Sequence, residues 1–135
     1  MKGPRCEFCH REHLNPRRKL VRQEQELLES MRELLALLMF QWQLERLLVT
    51  HRLRDDLRLV LAVLERRVKF LRQVQPPTPD EVRQARDNQR ILRGFSPGDL
   101  FTSLQHLPQV SATFKSEVKL LVDSARRSME MQRLG

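Results

Sequence analysis

The stretch from Arg17 to Gln75 runs for 59 residues without a glycine or a proline, between Pro16 on one side and Pro76–Pro77 on the other. Glycine and proline are the residues that most strongly disfavour a helix interior. A segment of this length that lacks both, and is loaded with Leu, Val, Glu, Gln and Arg, is predicted to be helical. Asn15 and Pro16 read as its entry, with Asn as cap and Pro in the first turn.

The apolar spacing inside the segment is that of a helix. Leu20, Leu27 and Leu34 recur every seven residues, with Met31 and Leu38 between them. Val21, Leu28, Leu35, Trp42 and Val49 form a second row beside the first. Two adjacent rows make a broad apolar face, which suits a bundle better than a narrow two-stranded coiled coil. Farther along, Leu57, Leu64 and Leu71 repeat the pattern with Leu61 and Val68 interleaved. The halves do not share a register. Leu34 and Leu57 lie 23 residues apart, and the first rows, continued, fall on Gln41 and Glu45.

Two architectures follow. One is a single long helix with a register slip. The other is a helical hairpin turning between Val49 and Asp56, where Thr50, Asp55 and Asp56 offer caps. Charge favours the hairpin. Residues 24–49 carry five acidic and two basic side chains, net −3, and residues 50–75 carry seven basic and three acidic, net +4. Folded back, the two would face opposite charge; a pairing between two chains satisfies the same charges.

Beyond it, residues 76–79 read as a stiff proline linker. Thr78-Pro-Asp-Glu81 has the form of a capping box with Pro in the first turn, and Ser96-Pro-Gly-Asp99 repeats it. Helices are expected over about 80–93, 97–106 and 112–132. Tyr is absent and aromatics make up 5% of the chain, so the core must be aliphatic. No alternating run of β-branched residues suggests a strand. The expected class is therefore all-α. It is a helical bundle built on a long hairpin over 17–75, or on one long coiled-coil-like helix, with a smaller C-terminal helical unit over 80–135 and a polar leader over 1–16.

The leader holds Cys6, Cys9, His10 and His13. Thiolates and imidazoles are the ligands zinc prefers, and Cys6, Cys9 and His13 give half of a tetrahedral set with His10 beside it. The stretch resembles the opening of small C2HC-type zinc fingers. Those fingers continue with a later His and Cys, which nothing after Pro16 supplies. Cys6-x-x-Cys9-His10 also matches the haem-attachment pattern of c-type cytochromes, a chemistry of exported compartments. The opening residues have no apolar core of a secretory signal, and the longest apolar run, Leu34 to Phe40, is too short for a membrane span. An intracellular setting, cytoplasmic or nuclear, is expected, with zinc the candidate metal.

Net charge is +8, and Arg outnumbers Lys 20 to 5. The planar guanidinium favours carboxylate and phosphate partners. Arg17, Arg18, Lys19 and Arg22 make a basic cluster beside the Cys/His leader, a candidate nucleic-acid contact. Arg83, Arg86, Arg90 and Arg93, spaced 3, 4 and 3, would share one helix face and track phosphates or an acidic helix. Single-strand binders also use interleaved aromatics for stacking, and here only Phe8 is available. No glycine-rich phosphate loop, nucleophile motif or acid–base pair is evident, and no small-molecule substrate is indicated. The expected function is non-enzymatic. The chain reads as an adaptor or assembly subunit that self-associates or docks other helical proteins. Its expected interface is Leu27, Met31, Leu34 and Leu38 with Leu57, Leu61, Leu64, Val68 and Leu71. The alternative is a nucleic-acid-associated, RNA-binding regulatory cofactor acting through the N-terminus.

Overall fold

Leu34 to Phe40 place seven apolar side chains in succession, about two turns of helix with no polar face. A helix apolar all round is stable in water only when it is covered all round. The computed structural model, which describes residues 20–51 and 55–134, is organised on that requirement. It contains α1 (Arg22–Ser30), α2 (Glu33–His51), α3 (Asp55–Val74), α4 (Pro79–Asn88), a 3-10 turn (Gln89–Leu92), α5 (Pro97–Gln105) and α6 (Ala112–Leu134). No strand occurs among the described residues. The fold is all-α.

Helix α2 is the centre. It packs against α3, α4, the 3-10 turn and α5, and α6 closes the far side by packing on α3 and α5. All seven residues from Leu34 to Phe40 are buried. Two amides tie α2 to its neighbours: buried Gln43 Nε2 donates to the Phe95 carbonyl at 3.2 Å, and half-buried Gln89 Nε2 donates to the Met39 carbonyl at 3.1 Å, while the Gln89 Oε1 has no partner among the described residues. Phe40, Leu44, Val60, Leu64, Leu100 and Phe114 converge around a void of only about 10 Å³, at or below what a water molecule needs. One apolar cluster runs from Leu28 to Ala125, so the C-terminal helices complete the core of the central ones rather than building their own.

This arrangement changes the meaning of the leucine rows. Leu34, Leu38, Leu57, Leu64 and Val68 are at most 5% exposed, and Leu27, Met31, Leu61 and Leu71 pack half-buried against the same cluster. The faces expected to meet a partner are the inside of the protein. The chain has enough helices of its own to cover them.

The central segment is also not one uninterrupted helix. Leu20 and Val21 are non-helical, and α1 starts at Arg22, with Glu24 reaching back to accept from the Val21 N–H at 3.1 Å. No polar cap marks that start. Helix α1 then stops at Ser30, and Met31 is extended at φ −86°, ψ 145°. The break needs no glycine or proline because distant side chains satisfy it. Gln109 Nε2 donates to the carbonyls of Leu28 (2.7 Å) and Met31 (2.9 Å). The Leu20–Leu27–Leu34 row therefore spans two helices. Past the break, Glu33 in the first turn of α2 forks to Arg67, near the end of α3, so opposite ends of the two helices meet.

Local signals govern the C-terminal half. Thr78 caps α4, accepting from the Glu81 N–H while Glu81 accepts from the Thr78 N–H; Ser96 and Asp99 repeat the exchange at α5. The α-helix expected to reach residue 93 ends at Asn88 and tightens into the 3-10 turn, which buries Ile91 and Leu92. Gly94 follows at φ 86°, a left-handed conformation that glycine adopts without steric cost.

Replacing the fully buried Leu37 by Ala should lower unfolding free energy by about 2–5 kcal/mol. Val49→Ala, at a site 83% exposed, should change it by no more than about 0.5 kcal/mol. Urea titration followed by circular dichroism reads both, and equal effects would contradict the central place of α2.

Candidate functional site: the groove between α3 and α6

With the aliphatic rows inside the core, Leu59, Phe70 and Leu120, among the exposed large apolar residues that also include Val21, Val49 and Val74, mark the candidate site. On α3, Leu59 (56% exposed) and Phe70 (52%) flank Arg66 on one outward helix face. On α6, Thr113, Glu117 and Leu120 (69% exposed) are spaced four and three apart on one face. At the Phe70 end the two helices leave an open recess of about 310 Å³. Val63 and Phe114, both buried, supply apolar surface there, and Arg66, Phe70, Thr113 and Glu117 are among its other lining residues.

A polar junction holds the recess in shape. Glu33 accepts from Arg67 Nε at 3.1 Å and Nη2 at 3.0 Å, and also from the Ser111 N–H at 3.1 Å, at the start of α6. One carboxylate thus ties α2, α3 and α6 together. The Arg67 guanidinium carbon lies 5.5 Å from the centroid of the Phe70 ring, within cation–π range. Phe70 is therefore an exposed aromatic braced by a fixed cation. By contrast, Arg66 Nη2 approaches Glu117 at 3.8 Å with side chains 71% and 47% exposed, a weak pair that a ligand can displace.

The residues singled out from the sequence fall elsewhere. Cys6, Cys9, His10, His13, Arg17, Arg18 and Lys19 lie outside the described residues. Arg22 pairs with Glu26 at 3.4 Å on a fully solvated face. Among the described residues, no group of three or more His, Cys, Asp or Glu side chains gathers to hold a metal, and no helix is long and apolar enough to cross a membrane. The arginine stripe is not continuous. Arg83 pairs with Asp80 at 3.4 Å, and Arg86 stacks on Trp42, its guanidinium carbon 4.6 Å from the ring centroid. Arg90 lies in the 3-10 turn, and Arg93 has left the helix. Four arginines on one α-helical face would need the helix to continue past Asn88.

Reading the sequence also missed Arg32, which clamps the proline linker. Its guanidinium forks to Glu81 with two contacts of 3.0 Å and donates to the Gln75 carbonyl at 3.2 Å and the Pro76 carbonyl at 3.3 Å. The hydrogen bond from Arg32, then the one from the Thr78 backbone, pull the Glu81 carboxyl down to about 2, and Glu81 in turn holds Arg32 more firmly protonated. Phe70, Leu59 and Leu120 were missed because none lies on the leucine rows. The signal was present: each is a large apolar residue off the stripe that its own helix buries.

No protein-family model matches the chain, and no curated protein or solved structure matches it.

Two outcomes are expected. The Glu81 carboxylate has a lowered pKa, so its contribution is complete above the ordinary value of 4.5 and is lost as pH falls toward about 2. Glu81→Gln should lower the melting temperature at neutral pH and flatten its decline between those values; an unchanged acid limb would mean the clamp is not formed. Arg86→Ala should shift emission of Trp42, the single tryptophan, to longer wavelength by uncovering its ring, with little change in melting temperature.

Proposed function

We propose that the protein is a non-enzymatic helical interaction module, an adaptor or assembly subunit, built on the α2–α3 hairpin and presenting the groove between α3 and α6 to a protein partner. The observation that carries this reading is the braced, half-exposed Phe70 beside a 310 Å³ recess, with Leu59 and Leu120 farther along the same two helices. Partial exposure of single apolar residues is ordinary. An aromatic held rigid at the edge of a concave apolar recess is the arrangement that interface anchors use. The earlier expectation of docking through Leu27–Leu38 and Leu57–Leu71 is replaced, because those residues fill the core.

A nucleic-acid-associated role is the second reading. It rests on the net charge of +8 and on the solvated Arg22 at the basic entry. Salt-sensitive retention on a polyanion column that disappears when Arg17, Arg18 and Arg22 become Ala supports it.

A photo-crosslinking amino acid placed at Phe70 or Leu120 should yield discrete protein adducts in the native cell, and the same group at Arg83 should not. Equal labelling at all three positions, or none, would remove the groove as the functional surface.

A further inference from the structure

Only two of the chain's serines and threonines precede a proline, Thr78 and Ser96. They share the same local chemistry. Each caps a helix with Pro in its first turn, and each hydroxyl accepts from the backbone N–H three residues on. Their surroundings differ. Thr78 is exposed, and so are Gln75, Pro76, Pro79 and Asp80 around it. Residues 76–78 belong to no helix, and Thr78 is extended at φ −79°, ψ 157°, the conformation that a following proline favours. Ser96 is half-buried between Phe95, 1% exposed, and the buried Pro97, Gly98 and Asp99.

An enzyme that acts on a hydroxyl before a proline draws that residue and its neighbours into a cleft as extended chain. Pro76 to Thr78 present that form in the folded protein. Only the first turn of α4 has to open to free Pro79 and Asp80, and opening at an exposed helix end costs little. At Ser96 the same movement pulls Phe95, Pro97 and Leu100 out of the core.

A cation also stands beside Thr78. Glu81 Oε1 accepts from the Thr78 N–H at 2.9 Å and from Arg32 Nη2 at 3.0 Å, so one carboxylate oxygen separates the threonine from the guanidinium. Arg32 reaches this junction from the start of α2, and its Nη1 and Nη2 hold the linker carbonyls of Gln75 and Pro76. The other charges next to Thr78 are Asp80 and its partner Arg83, 3.4 Å apart.

We propose that Thr78 is a phosphorylation site for a proline-directed kinase, and that its phosphate draws Arg32 away from Glu81. In the transfer, Thr78 Oγ1 attacks the γ-phosphorus of a nucleoside triphosphate. A new O–P bond forms as the bond from that phosphorus to the β-phosphate oxygen breaks. The nucleoside diphosphate leaves, and the hydroxyl proton passes to the catalytic carboxylate of the kinase. The phosphate carries more charge than a carboxylate and offers three acceptor oxygens, geometry that a guanidinium meets in two-pronged fashion. It repels Asp80 and Glu81, and the clamp on the proline linker passes from Glu81 to the phosphate. The proposal does not depend on the groove between α3 and α6.

The test incubates the full chain with a proline-directed Ser/Thr kinase and magnesium ATP, and reads the modified positions by peptide mass spectrometry. Phosphate should appear at Thr78 and be lost in Thr78→Val and Pro79→Ala. Ser96 should react at least about tenfold more slowly, because it opens only with the core around it. No phosphate at Thr78, or equal rates at the two positions, overturns the site. Phosphorus NMR of the modified protein then tests the exchange. Arg32→Gln should raise the pH of the phosphate's second ionisation, ordinarily about 6, and Arg32→Lys, which keeps the charge, should move it less. The same value in all three proteins overturns the role of Arg32 and leaves the site standing. Circular dichroism melts confirm that each variant folds.

Discussion

A helix with no polar face cannot stand at a surface, and the rest of this protein follows from covering one. Leu34 to Phe40 turn their apolar side chains in every direction, so α2 needs neighbours in every direction. Helix α3 supplies one side, α4 and the 3-10 turn another, and α5 a third, with α6 closing behind α3 and α5. Fully burying a side chain of the Leu or Phe type is worth about 1.5–3 kcal/mol. Six such side chains within seven residues, with Ala36 among them, outweigh any local preference that opposes their burial. The short α5 illustrates this. It is buried for most of its length, including Asp99, whose burial is tolerable because the Ser96 N–H donates to it at the cap.

Covering α2 makes the chain change course at the Met31 break and at the proline linker, and single polar side chains hold both places. Gln109 receives the helix end that breaks at Met31, Arg32 gathers the carbonyls of the proline linker with Glu81, and Glu33 joins Arg67 to the start of α6. Residues 31–33 lie side by side in sequence yet reach toward α6, the linker and α3. A buried carbonyl left without a partner would cost about 1–3 kcal/mol, so Gln109, which meets the partly buried Leu28 and Met31 carbonyls, specifies the path as well as stabilising it.

What the sequence revealed and what it hid divide along the same line. Features decided within a few residues were legible: the caps at Thr78 and Ser96 and the all-helical character. The break at Met31 was not, because its partner Gln109 is 78 residues away and nothing local disfavours a continuous helix there. The arginine spacing from Arg83 to Arg93 looked like one face because helical geometry was extended past Asn88. Burial of Ile91 and Leu92 tightened that turn instead. The leucine rows were correctly apolar but assigned to the wrong neighbour. Periodicity tells which side of a helix is covered and is silent on whether the cover comes from the same chain.

That silence explains where the candidate surface had to be found. If the regular stripes are consumed internally, an interface must be built from residues that break the stripe, since those are the apolar groups the fold leaves over. Phe70 is such a residue, one position before the half-buried Leu71 and turned away from the core that Leu71 meets. Its ring is set against Arg67, and Arg67 is fixed by Glu33 at the first turn of the central helix. The contact that locks α2 against α3 therefore also fixes the aromatic edge of the groove. Rigidity at the surface is inherited from the core, and under the proposed function it would lower the entropy lost on binding at Phe70.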